Sequence, residues 1–156
     1  MALILTLAGF AAALVAGVFL SFSDFVMRGL VLASHTRGAD GMIGLNQTVY
    51  RSVFMVMLLG LVPVAVGLSV FAHWQWPGSA LVFVSIGSVA YLTGVMVVTA
   101  MGNVPMNTRL RALSTTPDAL AAYWPSYTRR WTRLNHARTL SAATTAACWL
   151  TAAQLI

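Results

Sequence analysis

The sequence contains no lysine and no glutamate, only three aspartates (Asp24, Asp40 and Asp118), and a single cysteine. One cysteine excludes an internal disulfide and a metal site built from several thiolates. Cys148 sits in an apolar run and reads as a small packing residue. With acids almost absent from the apolar stretches, an ion channel or a proton-coupled transporter is disfavoured. Charged residues make up 8% of the chain, where a soluble domain carries about 25%, so the surface is not built mainly for water. Hydrophobic residues make up 59% and the mean hydropathy is +0.82. Lipid is the expected solvent for most of the molecule.

All nine basic residues are arginines, and the net charge is +6. A nucleic-acid binder sets its basic residues on a polar domain; here they flank apolar segments, so a nucleic-acid partner is excluded. Residues 1–23 carry no charge. A signal peptide has a positive start and a short apolar core, so the first helix is expected to be retained.

Three stretches are free of charge: 1–23, 52–108 and 139–156. About 20 apolar residues cross the hydrocarbon core as a helix. The middle stretch therefore holds two crossings, divided by His73-Trp74-Gln75-Trp76-Pro77-Gly78, a turn whose tryptophans suit headgroup level. The expected fold is an all-α membrane protein, a four-transmembrane-helix bundle forming one membrane domain over 1–156. Its spans lie at about 3–24, 52–72, 80–102 and 138–155. All nine arginines fall in, or at the edge of, the connections after the first and third spans, Arg138 standing at the boundary of the fourth. The positive-inside rule puts those connections in the cytoplasm and both termini on the periplasmic side of a bacterial inner membrane.

Gly9, Ala13 and Gly17 on the first span, and Ala142, Ala143, Ala146 and Ala147 on the fourth, predict close helix packing. Pro63 should kink the second span. In the connection 103–137, Thr116-Pro117-Asp118 has the order of an N-cap, a first-turn proline and a first-turn acid. A short cytoplasmic helix should run from there to about Trp124 and stop before Pro125, with Ser126 capping another. On that second helix Tyr127, Trp131, Asn135 and Arg138 share one face, while Arg129, Arg130 and Arg133 point away. No internal repeat is evident, which argues against an inverted-repeat transporter.

Amides are costly in or near lipid unless each finds a partner. Asn46, Asn103, Asn107 and Asn135 all fall near the cytoplasmic ends of the expected spans, with Asp24, Tyr50, Arg51, Trp131, His136 and Arg138. In a bundle these groups converge on one pocket.

Asn103-Val104-Pro105-Met106-Asn107, followed by Trp131-Thr132-Arg133-Leu134-Asn135-His136-Ala137-Arg138, resembles the anthrone oxygenase-like family of small membrane proteins. Asn46, preceded by Met42 and Leu45, is similar to that family's asparagine before the second span. One departure is Arg28, which stands where the family pattern leads one to expect a proline. The resemblance implies oxidation of anthrones to anthraquinones by molecular oxygen, as in the characterised fungal members.

Such chemistry needs a base, donors for an oxyanion and a dry apolar slot. On this reading His136 is the base, because imidazole titrates near working pH. Arg138, Asn103 and Asn107 hold the oxyanion, and Asn46, Asn135, Trp131 and Tyr50 contact the substrate. The expected partners are the lipid bilayer, an apolar aromatic small molecule, and a second copy or a larger membrane complex. Each residue also has a plainer role: His136 bonding a helix end, Arg138 as a snorkelling anchor, Asn103 and Asn107 as helix caps, Trp131 as a packing residue and Asp24 paired with Arg28. No cofactor is expected. The alternatives are a haem or copper site using His136 as a ligand, and a non-enzymatic accessory subunit of a larger membrane complex. His35 and His73 are too scattered to join His136.

Overall fold

The computed structural model describes residues 1–33, 35–76 and 78–156. Pro77, part of the expected headgroup turn, lies outside the described residues, as does the side chain of His35. The described residues form helices and no strand. In chain order these are α1 (Ala2–Leu32), α2 (His35–Thr48), α3 (Val53–Gln75), α4 (Ser79–Ala112) and α5 (Pro117–Gln154). A short 3-10 turn, Val49–Arg51, joins α2 to α3.

Helices α1, α3 and α4 are long and apolar enough to cross a membrane, which suggests a membrane protein. They contain the first three expected spans. The fourth, 138–155, corresponds to the second half of α5. That segment is helical but not apolar enough on average, because Arg138, Thr139, Ser141, Thr144, Thr145 and Thr151 dilute its alanines. Two of its polar residues, Arg138 and Thr145, are buried inside the molecule. Thr145 Oγ1 donates to the Gly87 carbonyl across to α4 at 2.9 Å, and Ala142, Ala146, Trp149 and Ala152 are buried.

Local sequence explains the starts of α3 and α4. Ser52 has extended backbone and accepts a hydrogen bond from the Met55 amide at 3.2 Å, the N-cap geometry that starts α3. Gly78 has φ +91°, a conformation cheap only for glycine, and α4 begins immediately after it. Pro63 lies inside α3, and a turn before it the Leu58 carbonyl accepts a hydrogen bond from the Tyr91 hydroxyl at 2.8 Å.

Four expectations are corrected. Helix α4 does not stop at 102; it runs through Pro105, preceded by π-helical turns over Ala90–Val97 and Thr99–Asn103. A π turn widens the helix locally, and here it directly precedes the missing N–H of Pro105. The expected break before Pro125 does not occur either. Thr116-Pro117-Asp118 starts α5 in the expected order, though the Thr116 side chain makes no cap hydrogen bond, and the helix continues unbroken for 38 residues. Ser126 caps nothing: its hydroxyl bonds back to the Tyr123 carbonyl at 2.8 Å within the helix. The small-residue stripe on α1 is also displaced. Gly9 is buried against Leu150, but Ala13 and Gly17 are exposed, and the packed face is Leu5, Ala8, Ala12, Val15, Ala16 and Phe19. Ala143 and Ala147 on α5 are exposed too.

Helix α2 was not anticipated within the first arginine-bearing connection. It folds back onto the end of α1 so closely that a Cβ on Gly38 would collide with the Leu30 carbonyl oxygen and the Trp124 ring. There Ala39 and Met42 of α2 complete a second apolar core with Met27, Met106, Leu110, Leu120, Trp124, Tyr127 and Trp131. The main core joins α1, α3, α4 and the second half of α5 around Leu5, Val15, Leu61, Val84, Tyr91 and Trp149. The polar residues of interest lie at the junction of the two cores.

Candidate functional site

The junction holds a partly open cavity of about 110 Å³, room for several waters. Its walls are mostly apolar: Phe19 and Phe22 of α1, Met42 and Leu45 of α2, and Phe54 and Leu58 of α3. One side is polar, with Asn46, Thr99, Asn103, Asn107, Asn135 and Arg138 lining it. The face predicted for the start of α5 is the face that turns inward. Tyr127, Trp131, Asn135 and Arg138 are all buried, while Arg129, Arg130 and Arg133 are exposed.

Two hydrogen-bonded groups build the polar side. In the first, Asn107 Oδ1 accepts from the Tyr127 hydroxyl at 2.8 Å and from Trp131 Nε1 at 3.0 Å. Its Nδ2 donates to Asn46 Oδ1 at 3.0 Å. This one amide ties α2, α4 and α5 together. Burial pushes the Tyr127 phenol well above its ordinary pKa, so it acts as a neutral donor.

In the second group, Asn135 Nδ2 donates to the Phe19 carbonyl and to Ser23 Oγ, each at 2.6 Å. Asn135 Oδ1 accepts from Arg138 Nη2 at 2.5 Å, and Arg138 Nη1 reaches Thr99 Oγ1 at 3.4 Å. The Arg138 guanidinium lies 4.3 Å from the Phe19 ring centre and 5.2 Å from that of Trp131, within cation–π range. Arg138 is only 6% exposed. No carboxylate compensates it: Asp24, Asp40 and Asp118 are all exposed and none lines the cavity.

Buried polar atoms are nearly always hydrogen-bonded, and exceptions call for an explanation. Three exceptions belong to residues lining this one cavity. Arg138 Nε and Asn46 Nδ2 are donors without acceptors, and Asn103 Oδ1 is an acceptor without a donor. An uncompensated guanidinium with spare donors beside an aromatic slot is suited to an oxygen that carries negative charge.

Among the expected site residues, Arg138, Asn103, Asn107, Asn46, Asn135 and Trp131 line this cavity together. Tyr50 lines it from the rim, largely exposed. His136 does not join them. Its side chain is exposed and absent from the lining, because position 136 faces away from the side shared by Asn135 and Arg138. Asn103 is not a helix cap, since α4 continues through it; its Nδ2 instead donates to the Trp131 carbonyl at 3.4 Å. Arg138 is not an outward-reaching anchor. Among the described residues no three histidine, cysteine, aspartate or glutamate side chains converge. Two contributors, Thr99 and Ser23, went unanticipated, while Tyr127, expected on the face of Trp131, joins through its hydroxyl.

Residues 47–148 match the family model described as anthrone oxygenase. Neither the curated proteins nor the solved structures provide a match to this chain.

Proposed function

The chain belongs to the anthrone oxygenase family, and from that premise we propose that it oxidises an apolar aromatic, anthrone- or quinol-like substrate with molecular oxygen in the Arg138 cavity. In this reading α1, α3, α4 and the second half of α5 cross a bacterial inner membrane. The arginine-bearing end faces the cytoplasm, and both termini face the periplasm. The observation that carries the proposal is the buried Arg138 guanidinium, which has no carboxylate partner and a free Nε donor, set against aromatic walls.

The chemistry follows from what such a site stabilises. Loss of a proton from the anthrone methylene gives an anthrolate, whose charge rests mainly on the ring oxygen. Arg138 and the Asn46 amide offer donors to that oxygen between mostly apolar walls, where fixed donors act strongly. The anthrolate passes one electron to O2, and the resulting radical and superoxide combine to form a C–O bond at the former methylene carbon. Protonation gives a hydroperoxide. Loss of water from it leaves the second carbonyl, so one anthrone and one O2 yield one anthraquinone and one water. The cavity lining holds no carboxylate and no imidazole. Its contribution is to favour the anion rather than to receive the proton on a dedicated base.

The test is oxygen uptake by detergent-purified protein supplied with anthrone, with anthraquinone measured alongside. One O2 consumed per quinone formed, faster than the buffer rate, is the expected result. Enhancement that persists unchanged in Arg138→Gln would remove Arg138 from the mechanism, and no enhancement by the wild type would overturn the proposed activity.

A further inference from the structure

A second concavity includes Ser23 in its lining. It is formed by the last turns of α1 and the first half of α5 and lined by Ser23, Met27, Arg28, Val31, Leu32, Thr128, Arg129, Thr132 and Arg133. Three guanidiniums, Arg28, Arg129 and Arg133, border it, all exposed, and no acidic residue lines it. Thr132 adds a partly exposed hydroxyl. The remaining wall is apolar, and Val31 and Leu32 are 50% and 89% exposed. Phe25, about two turns earlier on α1, is also exposed at 62%.

Like charges held around a concave surface repel one another unless an anion joins them. Three arginines beside the Thr132 hydroxyl make a donor set suited to a phosphate. A free phosphate would be served by the arginines alone and would leave the exposed Val31 and Leu32 without purpose. An amphiphile with a phosphate head and an acyl chain accounts for both halves, because its chain would lie along the exposed apolar flank of α1. Basic pockets between helices at the cytoplasmic membrane face are suited to anionic lipid headgroups. We propose that the Arg28–Arg129–Arg133 groove binds one anionic phospholipid by its headgroup phosphate. The inference rests on the membrane reading of the chain, and it is independent of the oxidation assigned to the cavity.

Each arginine at an anionic lipid surface is worth roughly a fivefold change in affinity, so removing all three should weaken binding by about 10²-fold. The experiment is native mass spectrometry of the detergent-purified full chain with added dioleoylphosphatidylglycerol or dioleoylphosphatidylcholine. The proteins compared are the wild type, Arg28→Gln/Arg129→Gln/Arg133→Gln, and a control of equal charge loss, Arg37→Gln/Arg111→Gln/Arg130→Gln. The expected result is one phosphatidylglycerol retained by the wild type and the control, lost from the groove variant, and no matching retention of phosphatidylcholine. Thermal unfolding supplies a second readout, with phosphatidylglycerol raising the melting temperature of the wild type and the control alone. Equal loss in the control would mean a diffuse field rather than a site. Equal retention of phosphatidylcholine would remove the headgroup charge from the argument. Displacement by millimolar inorganic phosphate would show a phosphate site without a lipid. Any of these three overturns the proposal.

Discussion

Replacing Arg138 with methionine separates what this residue does for the fold from what it does for chemistry. Methionine keeps an unbranched apolar stem of similar reach and removes the guanidinium. Three terms decide the change in stability. Asn135 Oδ1 loses its partner Arg138 Nη2, and an orphaned buried acceptor costs about 1–3 kcal/mol. Contacts with the rings of Phe19 and Trp131 disappear, costing roughly 0.5–2 kcal/mol. Against these stands relief from holding a charge in a 6% exposed site without a carboxylate partner, where the burial penalty is several kcal/mol per ion. The terms are of similar size and opposite sign, so the melting temperature should move by only a few degrees. Turnover should behave differently, since loss of a preorganised oxyanion donor costs about 10²–10³ in kcat. Thermal unfolding in detergent and anthrone-dependent oxygen uptake on the same preparation give both numbers. A large drop in melting temperature with kcat unchanged would refute the reasoning, because Arg138 would then serve the fold.

Asn107→Leu should be costly to the fold itself, because it strands the Tyr127 hydroxyl, Trp131 Nε1 and Asn46 Oδ1 together. At 1 kcal/mol or more for each, the loss is about 3 kcal/mol, or roughly 6–12 °C in melting temperature by differential scanning fluorimetry. His136→Ala tests the displaced base: with the imidazole exposed and off the cavity, steady-state turnover should stay within about twofold of wild type, whereas general-base loss would cost 10²–10⁴. Gly38→Ala places a methyl against the Leu30 carbonyl and the Trp124 ring, an overpacking worth about 1–3 kcal/mol, read as a lower melting temperature.

The parts of this fold that the sequence discloses are those governed by hydropathy and charge. Uncharged runs place α1, α3 and α4, and Gly78 marks the turn between the last two. The second half of α5 falls short of the hydropathy of the other three long helices, in part because of threonines such as Thr145, whose hydroxyl bonds to the Gly87 carbonyl. Helix α2 escapes notice because His35–Thr48 is mostly polar and glycine-rich; it is held by contacts of Gly38, Ala39 and Met42 distant in the chain. Proline misleads twice, at 105 and 125, since tertiary packing carries both helices through residues that would end an isolated one.

In the site, the four asparagines and Arg138 are legible because a buried amide or charge needs a reason, and α-helical spacing puts Trp131, Asn135 and Arg138 on one face. The same spacing carries the reason against His136, which follows Asn135 directly and points about 100° away from it. Ser23 and Thr99 are not legible, because each contacts its partner from a π-helical turn that shifts the register of the faces.

The central claim is that the cavity favours a negatively charged oxygen on an aromatic ligand, and an anaerobic titration of anthrone against purified protein tests it without turnover. Absorption spectra distinguish the neutral ketone from the anthrolate. The account predicts that wild-type protein at neutral pH accumulates a saturable anthrolate spectrum, and that Arg138→Met binds anthrone, if at all, as the neutral form. Identical spectra from the two proteins, or no bound anion in either, would contradict it.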